Sequence, residues 1–227
     1  MPNSARSLIG PLLQTVFPSM MKRRAELKYW HERYSVENKA LSNTHYEPLY
    51  TSAFGLDCNA YSGKRILDVG CGPRGSLEWA DVAAQRVGLD PLVPDYRRLG
   101  IDRHKMEYCA APSHKIPFPN VHFDIVTCLN ALDHVDDFEG TVAEIKRVTK
   151  PGGLFLLSVE LDHPPTPAEP ITITRDQLRA FSPEFEPVHE ELFGTPEDHN
   201  LHAAILSKLP YVPNQPGIYV GKMRRAS

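Results

Sequence analysis

Three glycines within six residues, Gly70, Gly72 and Gly75, follow directly on the apolar run at 66–69 and precede a stretch of helical composition at 76–84. Such a turn constrains the fold around it. A strand must end there, the chain must reverse with no side chain in the way, and backbone N–H groups are left facing a ligand. On either side, short apolar runs alternate with helical stretches, the pattern of βαβ units on a largely parallel sheet. The runs predict strands at 65–69, 86–89, 106–109, 124–129 and 153–159, with helices at 76–84 and 138–148. Each strand is short and apolar enough to be buried on both faces. In the last third, a helix at about 174–181 precedes two separated strands, 187–192 and 218–222, placed to close the sheet as an antiparallel edge pair. Pro164, Pro165, Pro167 and Pro170 predict a stiff, extended segment running across the strand ends.

With 227 residues, 41% of them apolar, the chain can bury one sizeable core but not two. The division this predicts is an N-terminal helical extension over 1–60 and a main domain over 61–227. In the extension, Leu27, Trp30 and Tyr34 recur at helical spacing between about 19 and 38, as a stripe that packs on the core or as a lid over a site. Lys22, Arg23 and Arg24 read as its solvated face. Arg6 and the apolar run at 8–17 imitate a signal sequence, but Pro11 and Pro18 interrupt the run and no small-residue cleavage site follows. No apolar stretch approaches the roughly 20 residues of a membrane span, so the expected location is the cytoplasm. Cys58, Cys71, Cys109 and Cys128 show no zinc-finger spacing and read as free thiols. A net charge of -3 with scattered Lys and Arg offers no field for nucleic acid.

Taken literally, Gly70, Gly72 and Gly75 with Asp90 on the next strand form the GxGxxG-plus-carboxylate fingerprint of dinucleotide binding. Asp68 argues against it, because a carboxylate two residues before the glycines would repel a pyrophosphate. A cationic nucleoside such as S-adenosylmethionine, with its ammonium and sulfonium and no phosphate, reverses that sign. Asp90 can accept hydrogen bonds from both hydroxyls of its ribose.

The blocks ILDVGCGPRGS, VGLDPL, IPFPNVHFDIVTCLNALDHV and EIKRVTKPGGLFLLSVE, in this order and spacing over residues 64–160, resemble the class I S-adenosylmethionine-dependent methyltransferases of the small-molecule kind. The resemblance implies a Rossmann-like three-layer α/β/α sandwich with a seven-stranded, mostly parallel sheet of order 3-2-1-4-5-7-6, the last strand antiparallel. It implies S-adenosyl-L-methionine as cofactor and S-adenosyl-L-homocysteine as product. Asp68, Gly70 and Gly72 would hold the methionine end, Asp90 the ribose and Asn130 the middle of the cofactor, with Cys71 and Pro91 as further cofactor-binding residues. Leu92 and Ile116 would sandwich the adenine. Arg74 stands where the usual motif has its third glycine, and AAPSHK stands where an acidic residue is common, which leaves Ser113 or His114 for the adenine amino group.

Methyl transfer from a sulfonium needs alignment and dryness more than acid catalysis, since the leaving thioether is neutral. A hydroxyl or amine acceptor must still lose a proton. His134, after strand four, and His163, after strand five, are the candidate bases, beside Asp133, Glu160 and Asp162. His199 and His202, near Glu197 and Asp198, have a spacing compatible with metal, but a solvated loop is the simpler reading and no metal is expected. The function expected is methylation, at oxygen or else nitrogen or carbon, of a small metabolite, sugar or natural product. The alternatives are a silent cofactor-binding module acting through partners and an NAD-dependent reductase.

Overall fold

In the computed structural model, which describes residues 9–227 and their side chains from Met20 onward, every strand predicted from the sequence lies in one sheet. Among the described residues seven strands form it: β1 (Arg65–Val69), β2 (Gln85–Leu89), β3 (Glu107–Cys109), β4 (Phe123–Leu129), β5 (Thr149–Leu161), β6 (Phe185–Gly194) and β7 (Gly217–Arg225). Their order is β3-β2-β1-β4-β5-β7-β6, with β7 antiparallel to both of its neighbours and the remaining pairs parallel. This is the expected Rossmann-like sandwich.

Alternation along the strands supplies two cores. Leu67 and Val69 of β1 face the side covered by α4 (Phe138–Val148), whose Val142, Ile145 and Val148 are buried there. Asp137 caps α4 by accepting the Gly140 N–H at 2.9 Å, and Lys146 and Arg147 lie in its last turn, where cations favour the helix dipole. Ile66, on the opposite face, packs with Tyr46, Leu49, Tyr50, Phe54 and Tyr61. Those residues come from α2 (Tyr46–Tyr50) and the short turns after it, so residues 46–61 form part of the core beneath the sheet. The short helices α3 (Val93–Tyr96) and α5 (Leu201–Ser207) complete the layers.

The long helix α1 (Ile9–Val36) is longer than its periodicity predicts. Leu27, Trp30 and Tyr34 pack on Val93, Tyr96, Leu99 and Ile101, as the stripe predicts. Of the apolar run at 8–17 only the helical backbone from Ile9 is described; its side chains, and Arg6, lie outside the described residues. No helix among the described residues is long and apolar enough to cross a membrane.

Three expectations are corrected. Residues 76–84 form a series of turns and no helix: Glu78, Ala80 and Ala83 donate their N–H groups three residues back, to Gly75, Leu77 and Ala80. Ser76 is turned inward to donate to the buried Asp68 carboxylate, and Trp79 is wedged against Tyr50 and Tyr61, so packing overrides helical composition. The helix expected at 174–181 is a short 3-10 segment, Gln177–Phe181. Of the expected solvated face, Arg23 and Arg24 are exposed, but Lys22 is half-buried. Lys22 Nζ meets Asp136 Oδ1 at 2.5 Å, and Arg23 reaches both oxygens of Asp95 at 2.8 and 3.0 Å.

Candidate active site

Open parallel sheets bind ligands beyond the carboxyl ends of their strands, at the point where strand order reverses. Here that point lies between β1 and β4, and a cavity of about 580 Å³ opens above it. Gly70, Cys71 and Gly72 form part of its wall. Gly70 and Gly72 have φ of +74° and +57°, which glycine adopts at no steric cost. A Cβ on Gly70 would collide with the Ala131 side chain, and one on Gly72 would come within 3.1 Å of Trp30 Cζ2. The glycines therefore let the loop pass between β4 and α1. Burial keeps the Cys71 thiol well above its usual pKa, so it stays a neutral thiol.

Asp90, 7% exposed, stands on the wall just past β2. Its Oδ1 accepts the Leu92 N–H at 2.8 Å and its Oδ2 the Gly72 N–H at 3.3 Å, which ties the glycine loop to the second strand. Burial pushes its carboxyl up to about 6 against these two backbone donors. Pro91 and Leu92 continue the wall, and Ser113 and His114 face it from the segment after β3. Ser113 Oγ lies 2.7 Å from Thr141 Oγ1, whereas His114 Nδ1 is buried with no partner. Asn130 is held in the left-handed region, φ +52°, at the tip of β4, its N–H donating to Ser158 O at 2.8 Å. Ile116, expected against the adenine, is instead buried in the core and does not line the cavity.

Asp68 is also off the cavity wall. At 1% exposure, it accepts hydrogen bonds from Tyr50 OH at 2.9 Å, Thr127 Oγ1 at 2.6 Å and Ser76 Oγ, and burial pushes it up to about 6 against those donors. Tyr50 is itself on the wall, so Asp68 reaches the site through that phenol. The correction has a physical cause: three hydroxyls from α2, β4 and the loop satisfy the carboxylate before any ligand arrives.

His134 lines the cavity where the chain leaves β4, while His163 does not. His134 Nδ1 is 2.6 Å from Glu26 Oε1 on α1, and its Nε2 lies 3.9 Å from Asp133 Oδ1 and 3.8 Å from Glu169 Oε1. Burial works against its charge, but the Glu26 hydrogen bond and the charges of Asp133, Glu26 and Glu169 prevail and raise its pKa to about 9. His163 Nδ1 stands 3.9 Å from the far oxygen of Glu169. His202, expected in a solvated loop, is on the wall in α5. Burial, with the nearby His45 and Arg74 charges, lowers its pKa to about 4.

Sequence reasoning missed Glu26, Trp30, Tyr50 and Glu169, all on the cavity wall. Only the stripe of α1 hinted at Trp30. Over the glycine loop, Arg74 lies 5.6 Å from the Trp30 ring and clamps Glu37 at 2.5 and 2.8 Å, holding Glu37 down at about 2. The arginine in the third-glycine position thus fastens α1 to the loop.

A glycine loop on β1, a buried carboxylate after β2, an asparagine after β4 and this strand order together define the class I S-adenosylmethionine-dependent methyltransferase fold. S-adenosylmethionine is the cofactor of that fold, and the residues fit it: a carboxylate-bearing cradle with an unpartnered His114 nitrogen where the adenine is expected. The Methyltransferase domain family matches residues 67–157. The chain is 33% identical over 112 residues to the ubiquinone biosynthesis O-methyltransferase of Aromatoleum aromaticum, covering 45% of this chain and 47% of that protein. It is 32% identical over 136 residues to the demethylmenaquinone methyltransferase of Renibacterium salmoninarum, covering 58% and 55%. The chain thus spans about half the length of these curated relatives. Among solved structures, an S-adenosylmethionine-dependent methyltransferase from Mesorhizobium loti superposes with a TM-score of 0.56 at 21% identity, over 74% of this chain and 95% of that one.

Proposed function

We propose that the protein transfers a methyl group from S-adenosylmethionine to a small-molecule acceptor. The observation that carries this reading is the cavity over β1, β2 and β4, with the glycine loop and the Asp90 carboxylate on one side and α1 across it. When bound, S-adenosylmethionine supplies an electrophilic methyl on a positively charged sulfur. Asp90 accepts the ribose hydroxyls, Gly70 and Gly72 give the methionine end close approach to the backbone, Ser113 and His114 face the adenine, and Asn130 steadies the middle. Asp68 acts by fixing the Tyr50 hydroxyl. The loop has no helix behind it, so it lacks the ready anion site that a dinucleotide pyrophosphate requires.

The N-terminal extension serves as a lid. Its Lys22–Asp136 and Arg23–Asp95 pairs fasten α1 to segments after β4 and after β2, which excludes water and any polymeric acceptor. Tyr46, Tyr50, Leu129 and Leu201 give the remaining wall an apolar, aromatic character, suited to a metabolite with a flat or hydrocarbon body. One relative is named for O-methylation in ubiquinone biosynthesis and another as a ubiquinone/menaquinone biosynthesis C-methyltransferase, which supports oxygen or carbon as the atom methylated here. His134, on the cavity wall beside Glu26, Asp133 and Glu169, is the candidate group to take the acceptor's proton, its raised pKa of about 9 favouring the protonated form at neutral pH, and His163 stands behind it, 3.9 Å from Glu169.

Calorimetry with S-adenosylhomocysteine tests the reading first, with micromolar binding expected. Transfer of labelled methyl to a panel of phenolic, quinone and isoprenoid acceptors tests it next. Absence of nucleoside binding would remove the proposal.

A further inference from the structure

We propose that Asp133, His134 and Glu169 form a divalent-cation site at the acceptor end of the cavity. Asp133 Oδ1, His134 Nε2 and Glu169 Oε1 converge, with the two carboxylates 3.9 and 3.8 Å from the imidazole nitrogen and the three residues' ligand atoms within 4.8 Å of one another. Ligands about 2.0–2.2 Å from a shared zinc-like ion are roughly 3–3.9 Å apart, so a small contraction seats one. Asp133 Oδ1 and His134 Nε2 are both buried without any hydrogen-bond partner, although the Asp133 side chain is only 8% exposed. Two orphaned atoms on neighbouring residues, aimed at one point, call for an occupant.

The surroundings favour a cation over a water molecule. Glu26, Asp133 and Glu169 set three carboxylates around one imidazole, and among the described residues no Lys or Arg forms an ion pair with any of them. The supporting contacts match those of a metal centre. Glu26 takes the Nδ1 side of His134, which leaves Nε2 as the ligand atom, the carboxylate–histidine–metal arrangement. Thr166 Oγ1 donates to Glu169 Oε2 at 3.0 Å and also accepts the Glu169 N–H at 3.0 Å, so Oε1 is turned toward His134. Pro165, Pro167 and Pro170 stiffen that turn. Two carboxylates and one imidazole suit manganese, zinc or magnesium. Three protein ligands leave coordination positions open, and His134 and Glu169 both line the cavity, so those positions face the acceptor. The consequence for the acceptor rests on the methyl-transfer reading above: a hydroxyl bound there would become more acidic and need no strong base. Cation binding itself does not depend on that reading.

The test is manganese binding to the full chain, followed by electron paramagnetic resonance and by calorimetry, with S-adenosylhomocysteine affinity measured in parallel as the control on fold and cofactor site. One ion per chain with micromolar affinity is expected, competed by zinc and magnesium. Glu169→Gln, at a half-exposed position that tolerates the change, should weaken it tenfold or more while leaving nucleoside affinity within twofold, and Asp133→Asn should do the same. A chain that binds the nucleoside but no manganese, its orphaned atoms served by water or by the sulfonium, overturns the cation site alone. Manganese binding equal in the parent and in Glu169→Gln overturns it as well. Loss of nucleoside binding in the parent chain would instead strike the proposed function.

Discussion

Asp68 and Asp90 stand at neighbouring strand ends, both buried and both with a pKa near 6, yet only Asp90 faces the cavity. Asp90→Ala should therefore weaken S-adenosylhomocysteine binding by roughly 1–3 kcal/mol, read by calorimetry, through loss of charged hydrogen bonds. Because ribose recognition uses the ionised carboxylate, affinity should fall as pH drops through about 6, and Asp90→Asn should flatten that profile. Gly70→Ala combines a left-handed φ with a collision at Ala131, so it should cost about 1–3 kcal/mol in thermal unfolding and abolish binding. The chemistry of Asp90 and the glycines was legible because backbone order alone sets their places. Asp68 was legible as a carboxylate in the right strand but not as a buried one. Its three hydroxyl partners come from residues 18, 8 and 59 positions away, and no local pattern announces them.

Helix α1 reads from its sequence as an amphipathic stripe, and the stripe does pack as expected; its ion pairs were not legible because each partner is remote. Glu26 finds His134 across 108 positions, and Lys22 finds Asp136 across 114. Exposed pairs contribute little to stability, so Lys22→Ala with Arg23→Ala should leave the unfolding midpoint almost unchanged while speeding S-adenosylhomocysteine dissociation severalfold in stopped flow. Glu37→Ala differs, because it strands the largely buried Arg74 guanidinium. A loss of about 2 kcal/mol is expected in urea unfolding. The strands and α4 were legible because each is specified by its own short period. The 76–84 segment was not: a nine-residue stretch gains more from seating Trp79 between Tyr50 and Tyr61 than from its helical propensity.

For the molecule as a whole, opposing titrations set the response to acid. Asp68 and Asp90 have raised pKa values, so the stability they contribute is complete below about 4 and is lost as pH rises through about 6. His202 has a lowered value, so its contribution holds above 6.5 and is lost as pH falls toward 4. These terms oppose each other between about pH 4 and 6, and His202→Leu should let the midpoint of the bare chain rise on acidification, by scanning calorimetry. The strand order was legible from sequence through family resemblance; the way residues 46–61 and α5 close the lower layer was not, since their contacts form only once the sheet exists. The two ionic fastenings of α1 have a kinetic corollary. Under the lid proposed above, spent nucleoside leaves only once both margins of the strap let go. Moderate salt, by shielding those fastenings, should then speed S-adenosylhomocysteine release while leaving the buried contacts of its cradle untouched.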